Sequence, residues 1–262
     1  MNKLIIIASI LLAATANAAG VIDDVLDRGT LRVGMSSFKP WAMQAQAGGF
    51  IGFEPDVAQR LAEDLGVELE IVPTAWDGII PALLAGKFDL IVSGMSVTPA
   101  RNLQVNFSAP YAYSGLGLAA SRARVNATSS VDDFNRSEVI FALRRGASPV
   151  AFVKERFPQA EVRQYDDEAA AIQDLVNGRS DAFITSAPLH KLAAEQHPDK
   201  LFIPFNALFS QSQEAIALRK GDADSLNFLN NWVALRTADG WLQERHNYWF
   251  KGKEWESLVG GQ

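Results

Sequence analysis

The chain has 262 residues, a formal net charge of −6, 48% hydrophobic residues and no cysteine. That length can bury a substantial core, as one large domain or two modest ones. An acidic balance with no basic run and no aromatic–basic interleaving speaks against nucleic acid as a partner. Without cysteine there is no disulfide, no thiolate chemistry and no lipidatable residue at an export cleavage site.

The first residues predict an export signal. Lys3 supplies the positive start, Leu4 to Ala13 a short apolar core, and Ala16-Asn17-Ala18 a small-x-small cleavage site. Residues 1–18 are therefore expected to be a cleaved leader. The remainder is expected to be free in the periplasm rather than lipid-anchored. Next come a strand over Leu31–Gly34, a helix over Pro55–Leu65, a strand over Glu68–Val72 and a helix over Trp76–Leu84. Leu90-Ile91-Val92 is a short buried-strand run, and Ser93-Gly94-Met95-Ser96 a small-residue turn. Thr98 stands where a cap would, with Pro99 at the first helical position and Arg101 just inside. Free backbone N–H groups, the hydroxyls of Ser93, Ser96 and Thr98, and the Arg101 guanidinium would then converge as a carboxylate requires. An ordinary strand–turn–helix with a surface arginine fits the same pattern.

Beyond this stretch, strands are expected at Val139–Leu143, Val162–Tyr165, Ala182–Thr185, Leu201–Pro204 and Ala215–Leu218. Helices are expected at Pro149–Phe157, Glu168–Val176 and Pro188–Gln196, with two more between Asp222 and Phe250, broken near Asp239-Gly240. The alternation argues an α/β fold with largely parallel sheets. It does not by itself divide the chain.

The motifs GTLRVG (29–34), GFEPDVAQRLAEDLG (52–66), WDGIIPALLAGKFD (76–89), SGMSVTPAR (93–101) and NFSAPY (106–111) occur in an order that resembles the bacterial extracellular solute-binding proteins of family 3. RRGAS (144–148), NGRSDAFITSAP (177–188), ALRKGD (217–222) and DGWL (239–242) continue the likeness. Pro55, where an aliphatic residue is usual, is a small departure. The resemblance implies a two-lobe, type II binding-protein fold with a ligand cleft between the lobes. Lobe one would comprise 19–112 and 213–262, and lobe two 113–212, with hinges near 112–117 and 210–214. It also implies a monomer without cofactor that binds a small carboxylate-bearing solute, an amino acid or related acid, and delivers it to an ABC permease.

By the same resemblance, Arg101 would meet the ligand's α-carboxylate, with Ser96 and the backbone of Ser93 and Gly94 along the first-lobe rim. Ser148, with the N–H groups after Gly146, would form the second-lobe half of that cradle. Phe38 and Trp76 would flank the ligand's side chain, with Trp41, Tyr111 and Tyr113 nearby; membership of the core is the competing reading for these rings. Two departures bear on the ligand. Ser186 stands where amino-acid binders usually carry an aspartate for the ammonium group, and Met35-Ser36-Ser37 lacks the acid common in binders of basic ligands. Glu214 is a candidate substitute acid. Arg144 and Arg145 add positive charge at a strand end, either facing the cleft or as a solvated pair. Together these predict a carboxylate whose positive charge is weak, absent or distant.

The rival reading is an enzyme. Cyclohexadienyl dehydratase, a ring-aromatising lyase, shares this scaffold and relies on a glutamate just after the second-lobe strand. The matching place, Pro188-Leu189-His190, has no carboxylate, and His190 is expected on a helix surface. His190, His197 and His246 lack metal-ligand spacing, and no Ser-His-Asp set or phosphate-binding glycine loop is evident. A non-catalytic receptor is the expectation.

Overall fold

The computed structural model describes residues 20–260; the expected leader and its cleavage site lie outside them. Two five-stranded sheets organise the chain. In the first, the strands run in the order Glu68–Pro73, Thr30–Met35, Leu90–Ile91, Ala217–Leu218 and Asn106–Phe107. In the second, the order is Glu161–Tyr165, Ile140–Arg144, Ala182–Ser186, Leu116–Ser121 and Leu201–Phe202. The first three strands of each sheet are parallel. Ala217–Leu218 and Leu116–Ser121 then run against both of their neighbours. Each sheet is therefore mixed rather than largely parallel. The antiparallel strands follow or precede passages between the sheets, which bring the chain in from the opposite end.

Burial explains the strand sequences. Leu31, Val33 and Met35 share one face of their strand and are fully enclosed, while Thr30 and Arg32 on the other face are half-buried. The second sheet packs on its own aromatic cluster, with Phe141 and Phe157 stacked at 5.2 Å and Phe134 beside them. Each such side chain contributes about 1.5–3 kcal/mol on burial.

The Trp76–Leu84 segment is not one helix. A 3-10 turn over Trp76–Gly78 precedes an α-helix over Ile79–Leu84. Pro81 has no N–H to bond the Asp77 carbonyl, so no regular turn links the two.

The chain passes between the sheets twice, at Ala112–Ser114 and Ser212–Glu214, and these segments pair antiparallel. The tail then returns to the first sheet. Its helices, Ala223–Ala238 and Trp241–Lys251, are tied to the helix Phe53–Leu65 by Trp232 Nε1 to Asp64 (2.8 Å) and Trp249 Nε1 to Asp56 (2.6 Å). Asp222 accepts from Ser225 N at 2.9 Å within the tail and from Val21 N at 2.6 Å, locking the first helix, Val21–Arg28, to the last part of the chain.

Candidate functional site

The C-terminal ends of parallel strands from both sheets meet across one narrow cleft. Such ends are where open α/β sheets place their ligands. The first lobe lines it with Phe38, Trp76, Gly94, Ser96 and Arg101. The second lobe contributes Arg144, Ser148, Glu168, Thr185 and Ser186.

Arg101 is placed by the short helix Pro99–Asn102, whose start is capped by Thr98 Oγ1 accepting from Arg101 N at 3.3 Å. Its guanidinium is buried and donates to the carbonyls of Ser96 (2.9 Å) and Gly146 (3.2 Å). It stands 5.3 Å from the Trp76 ring centroid. Burial, reinforced by Arg144, lowers its pKa to about 10, so it remains charged at neutral pH. Two neutral carbonyls do not exhaust its donors, and no carboxylate lies within 4.0 Å of it among the described residues.

Gly146 is a point of contact between the lobes. Its carbonyl accepts from both Arg101 and Trp76 Nε1, each at 3.2 Å. Its φ is +70°, and a Cβ there would sit 3.3 Å from Asp77 Cα, so the position suits glycine alone. Ser148 begins the helix Ser148–Arg156 and lines the cleft. Arg144, also buried, stands 5.0 Å from the Trp76 centroid and donates to Ser36 Oγ on the first lobe. Burial lowers its pKa, against the opposing charges of Glu168, Asp167 and Asp77.

Glu168 is the residue that sequence reading missed. It is the first residue of the helix Glu168–Val176, where an acid is ordinarily explained by the helix dipole. Part of the residue reaches solvent, but the carboxylate is enclosed. Oε1 accepts from Thr185 Oγ1 at 3.3 Å, and Oε2 has no hydrogen-bond partner. Burial pushes its pKa up to about 7, with Arg144 and the Thr185 hydroxyl pulling the other way. No sequence signal marks it, because its partner Thr185 lies at the end of the strand Ala182–Ser186.

Other expected residues fall elsewhere. Arg145, the first residue after the strand Ile140–Arg144, does not line the cleft; it is half-exposed and pairs with Asp166 at 3.0 Å. Ser93 does not line the cleft either. Its Oγ accepts from Ser36 N at 2.9 Å and bonds the Ser36 carbonyl at 3.4 Å, joining two strand ends beneath the surface. Gly94 has φ +62° and lies against the Trp41 ring, which is wholly buried and stacks on Phe38 at 6.1 Å. Tyr111 is a buried donor to Glu54 at 2.6 Å, whereas Tyr113 is 64% exposed.

Glu214 lies behind Ser96 on the second passage strand. It accepts from Ser114 (2.7 Å) and Ser96 (3.4 Å), and burial raises its pKa to about 7. It braces the rim from outside the cleft. His190 is not on a surface: its ring fills the space a Cβ of Gly117 would need, and burial, with Lys191, lowers its pKa to about 4. Gly117 has no side chain, so the ring lies directly on its strand.

The profile of the bacterial extracellular solute-binding proteins, family 3, matches residues 31–252. The chain is 32% identical to the L-cystine-binding protein TcyJ of Escherichia coli K12 over 232 residues, covering 88% of this chain and 86% of that protein. It is 27% identical to the cyclohexadienyl dehydratase of Pseudomonas aeruginosa over 243 residues, covering 91% and 89%. Among solved structures, the ancestral amino acid-binding protein AncCDT-1, a precursor of cyclohexadienyl dehydratase, superposes with a TM-score of 0.81 at 37% identity, covering 87% of this chain and 99% of that one. The chain belongs to the extracellular solute-binding proteins of family 3, with their two-lobe fold.

Proposed function

We propose that this solute-binding protein is the periplasmic receptor of an ABC importer, closing on a small carboxylate-bearing solute and handing it to a membrane permease. Arg101 carries the reading: a buried, charged guanidinium at the cleft, held by two backbone carbonyls and, among the described residues, by no acid. A ligand carboxylate would supply the missing anion by paired, charge-assisted bonds. Ser96, Gly94 and Ser148 would complete the cradle, and Phe38 and Trp76 would exclude water from it. The hinge would be the paired segments at Ala112–Ser114 and Ser212–Glu214, separating a lobe of residues 19–112 and 213–262 from one of residues 113–212. Residues 1–18 would direct export to the periplasm, where the protein acts as a monomer. Among the described residues, no helix is long and apolar enough to cross a membrane.

The L-cystine binder among its relatives supports an amino acid as ligand. The test is a thermal-shift screen of the exported protein against amino acids, dicarboxylates and small aromatic or sulfur-containing acids, followed by calorimetry. A ligand at 100-fold its Kd adds about 2.7 kcal/mol of stability. If no carboxylate shifts the transition, the receptor reading fails.

The lyase alternative draws support from the dehydratase relative and from Glu168, a cleft acid with a pKa near 7, where proton transfer is favourable. Against it, Pro188-Leu189-His190 offers no carboxylate, and His190 is enclosed and neutral at pH 7. Incubation with prephenate and arogenate is expected to yield no phenylpyruvate or phenylalanine above the uncatalysed rate. Turnover would transfer the protein to the lyase class.

A further inference from the structure

One ligand carboxylate on Arg101 leaves the second-lobe rim unmatched. Arg144 is 4% exposed, borders the same cavity, and has an enclosed Nε with no partner. Glu168 borders that cavity too, with Oε2 enclosed and unpartnered. The two do not neutralise each other by contact, since no Arg144 nitrogen lies within 4.0 Å of a Glu168 oxygen. Two residues that border one space thus carry a donor-only and an acceptor-only group, each with an enclosed atom that lacks a partner. Arg101 and Arg144 also share the Trp76 ring, at 5.3 and 5.0 Å from its centroid, so two positive charges converge there. Buried ions of this kind require partners.

We propose, resting on the reading of Arg101 as the carboxylate anchor, that the ligand is an α-amino acid with an acidic side chain. Its α-carboxylate lies on Arg101, its ammonium on Glu168 Oε2, and its side-chain carboxylate on Arg144. Thr185 and Ser186 flank the ammonium with hydroxyl oxygens. Two cations and one anion in the cleft meet two anions and one cation in the ligand. A basic amino acid would set its side-chain cation against Arg144, a like charge. A dicarboxylate without an amine would set two anions beside Glu168 with nothing to satisfy it. The acid that Ser186 lacks thus comes from the neighbouring helix start, so the ligand's cation need not be weak or distant. Burial already holds the Glu168 carboxyl high, and an adjacent ammonium would favour its ionised form.

The test is calorimetry on the exported protein with L-glutamate, L-aspartate, L-glutamine, glutarate, succinate, L-lysine and L-arginine. We expect L-glutamate or L-aspartate to bind at least tenfold more tightly than the amide, the amine-free diacids and the basic amino acids. Glu168→Gln should erase the advantage over the diacid, and Arg144→Gln the advantage over L-glutamine. Equal binding of L-glutamate and L-glutamine, tighter binding of L-lysine or L-arginine, failure of every acidic amino acid to bind, or an unchanged amine preference in Glu168→Gln would each overturn the proposal. The panel on the parent decides the ligand class even if a variant does not fold. The anchor reading fails separately, if Arg101→Ala leaves the affinity of a bound carboxylate within threefold of the parent.

Discussion

The two rims of the cleft are made by one device and hold charge differently. Both place a turn and a helix start beyond the C-terminal end of a parallel strand. On the first lobe, the guanidinium of Arg101 bonds the Ser96 carbonyl of its own turn as well as Gly146 across the cleft, and Ser96 is braced from behind by Glu214. On the second, Arg144 crosses to Ser36 of the other lobe, and Glu168 has one oxygen with no partner. A group with a partner in its own segment is partly preorganised before closure. A group completed only by the other lobe or by the ligand discriminates at closure. The first rim would therefore supply affinity for any carboxylate, and the second would choose among them.

The sharpest way to break this division is Arg101→Ala. Removing one partner of a buried charge pair typically costs about 2–5 kcal/mol, so affinity for every ligand found by the screen should fall at least ~30-fold. Circular dichroism should remain that of the parent, because the capped turn keeps its backbone bonds. Calorimetry showing selective loss for some ligands and not others would assign discrimination to the first rim.

The acids of the two lobes also divide by pH. Glu54 is fully buried beneath the first-lobe rim, and burial pushes its pKa up to about 8, against the Tyr111 hydroxyl and the Gly94 backbone. Its unfolded value is near the ordinary carboxylate range, about 4.3. Below that value both states are protonated. Between it and about 8 the unfolded chain gives up a proton that the folded protein keeps, so stability falls as pH rises. Urea unfolding at pH 5 and pH 8 should differ by on the order of a few kcal/mol, with the lower pH more stable. Glu54→Gln should remove much of the difference, leaving the smaller share that Glu168 and Glu214 add with the same sign up to about 7. His190, held neutral by burial down to about 4, acts with the opposite sign below about 6.5, so the parent-minus-variant difference decides: an unchanged pH difference in Glu54→Gln would mean that Glu54 is ionised in its pocket.

Gly146 connects the rims. Substitution by alanine keeps the left-handed φ of +70° at a cost of about 1–2 kcal/mol and brings a methyl to 3.3 Å from Asp77 Cα. The stability loss should be modest, and ligand-induced closure, followed by small-angle scattering, should be incomplete. Unchanged closure would show that the lobes meet elsewhere first.

What could be read in advance follows the range of the interactions. The turn after Leu90-Ile91, the Thr98 cap and Arg101 are contiguous, so their geometry is a property of one short segment. Helix–strand alternation was legible for the same reason, apart from Pro81 splitting one segment into two. The mixed sheets were not legible, because the direction of Ala217–Leu218 depends on a return from the other lobe. Glu168 was hidden because its role depends on a strand end 17 residues away, through Thr185. His190 was misjudged because Gly117, far off in sequence, opens the space its ring fills.

The smallest expected effect tests the finest part of the contrast, the neighbours Arg144 and Arg145. Identical in type and adjacent in the chain, they are the last residue of the strand Ile140–Arg144 and the first after it. Arg144 is 4% exposed at the cleft, and Arg145 is half-exposed beside Asp166 and does not line it. An exposed pair of this kind is worth about 0–1 kcal/mol, and less in salt. Arg145→Ala should therefore leave ligand affinity within about twofold and shift unfolding by less than ~1 kcal/mol. The matched Arg144→Ala should alter which ligand is preferred. If the Arg145 variant changed ligand preference as much as the Arg144 variant, the positive charge would act on the ligand through long-range potential. High salt would then have to abolish both effects together. Direct contact instead predicts that salt leaves the Arg144 effect standing while the Arg145 pair contributes nothing measurable.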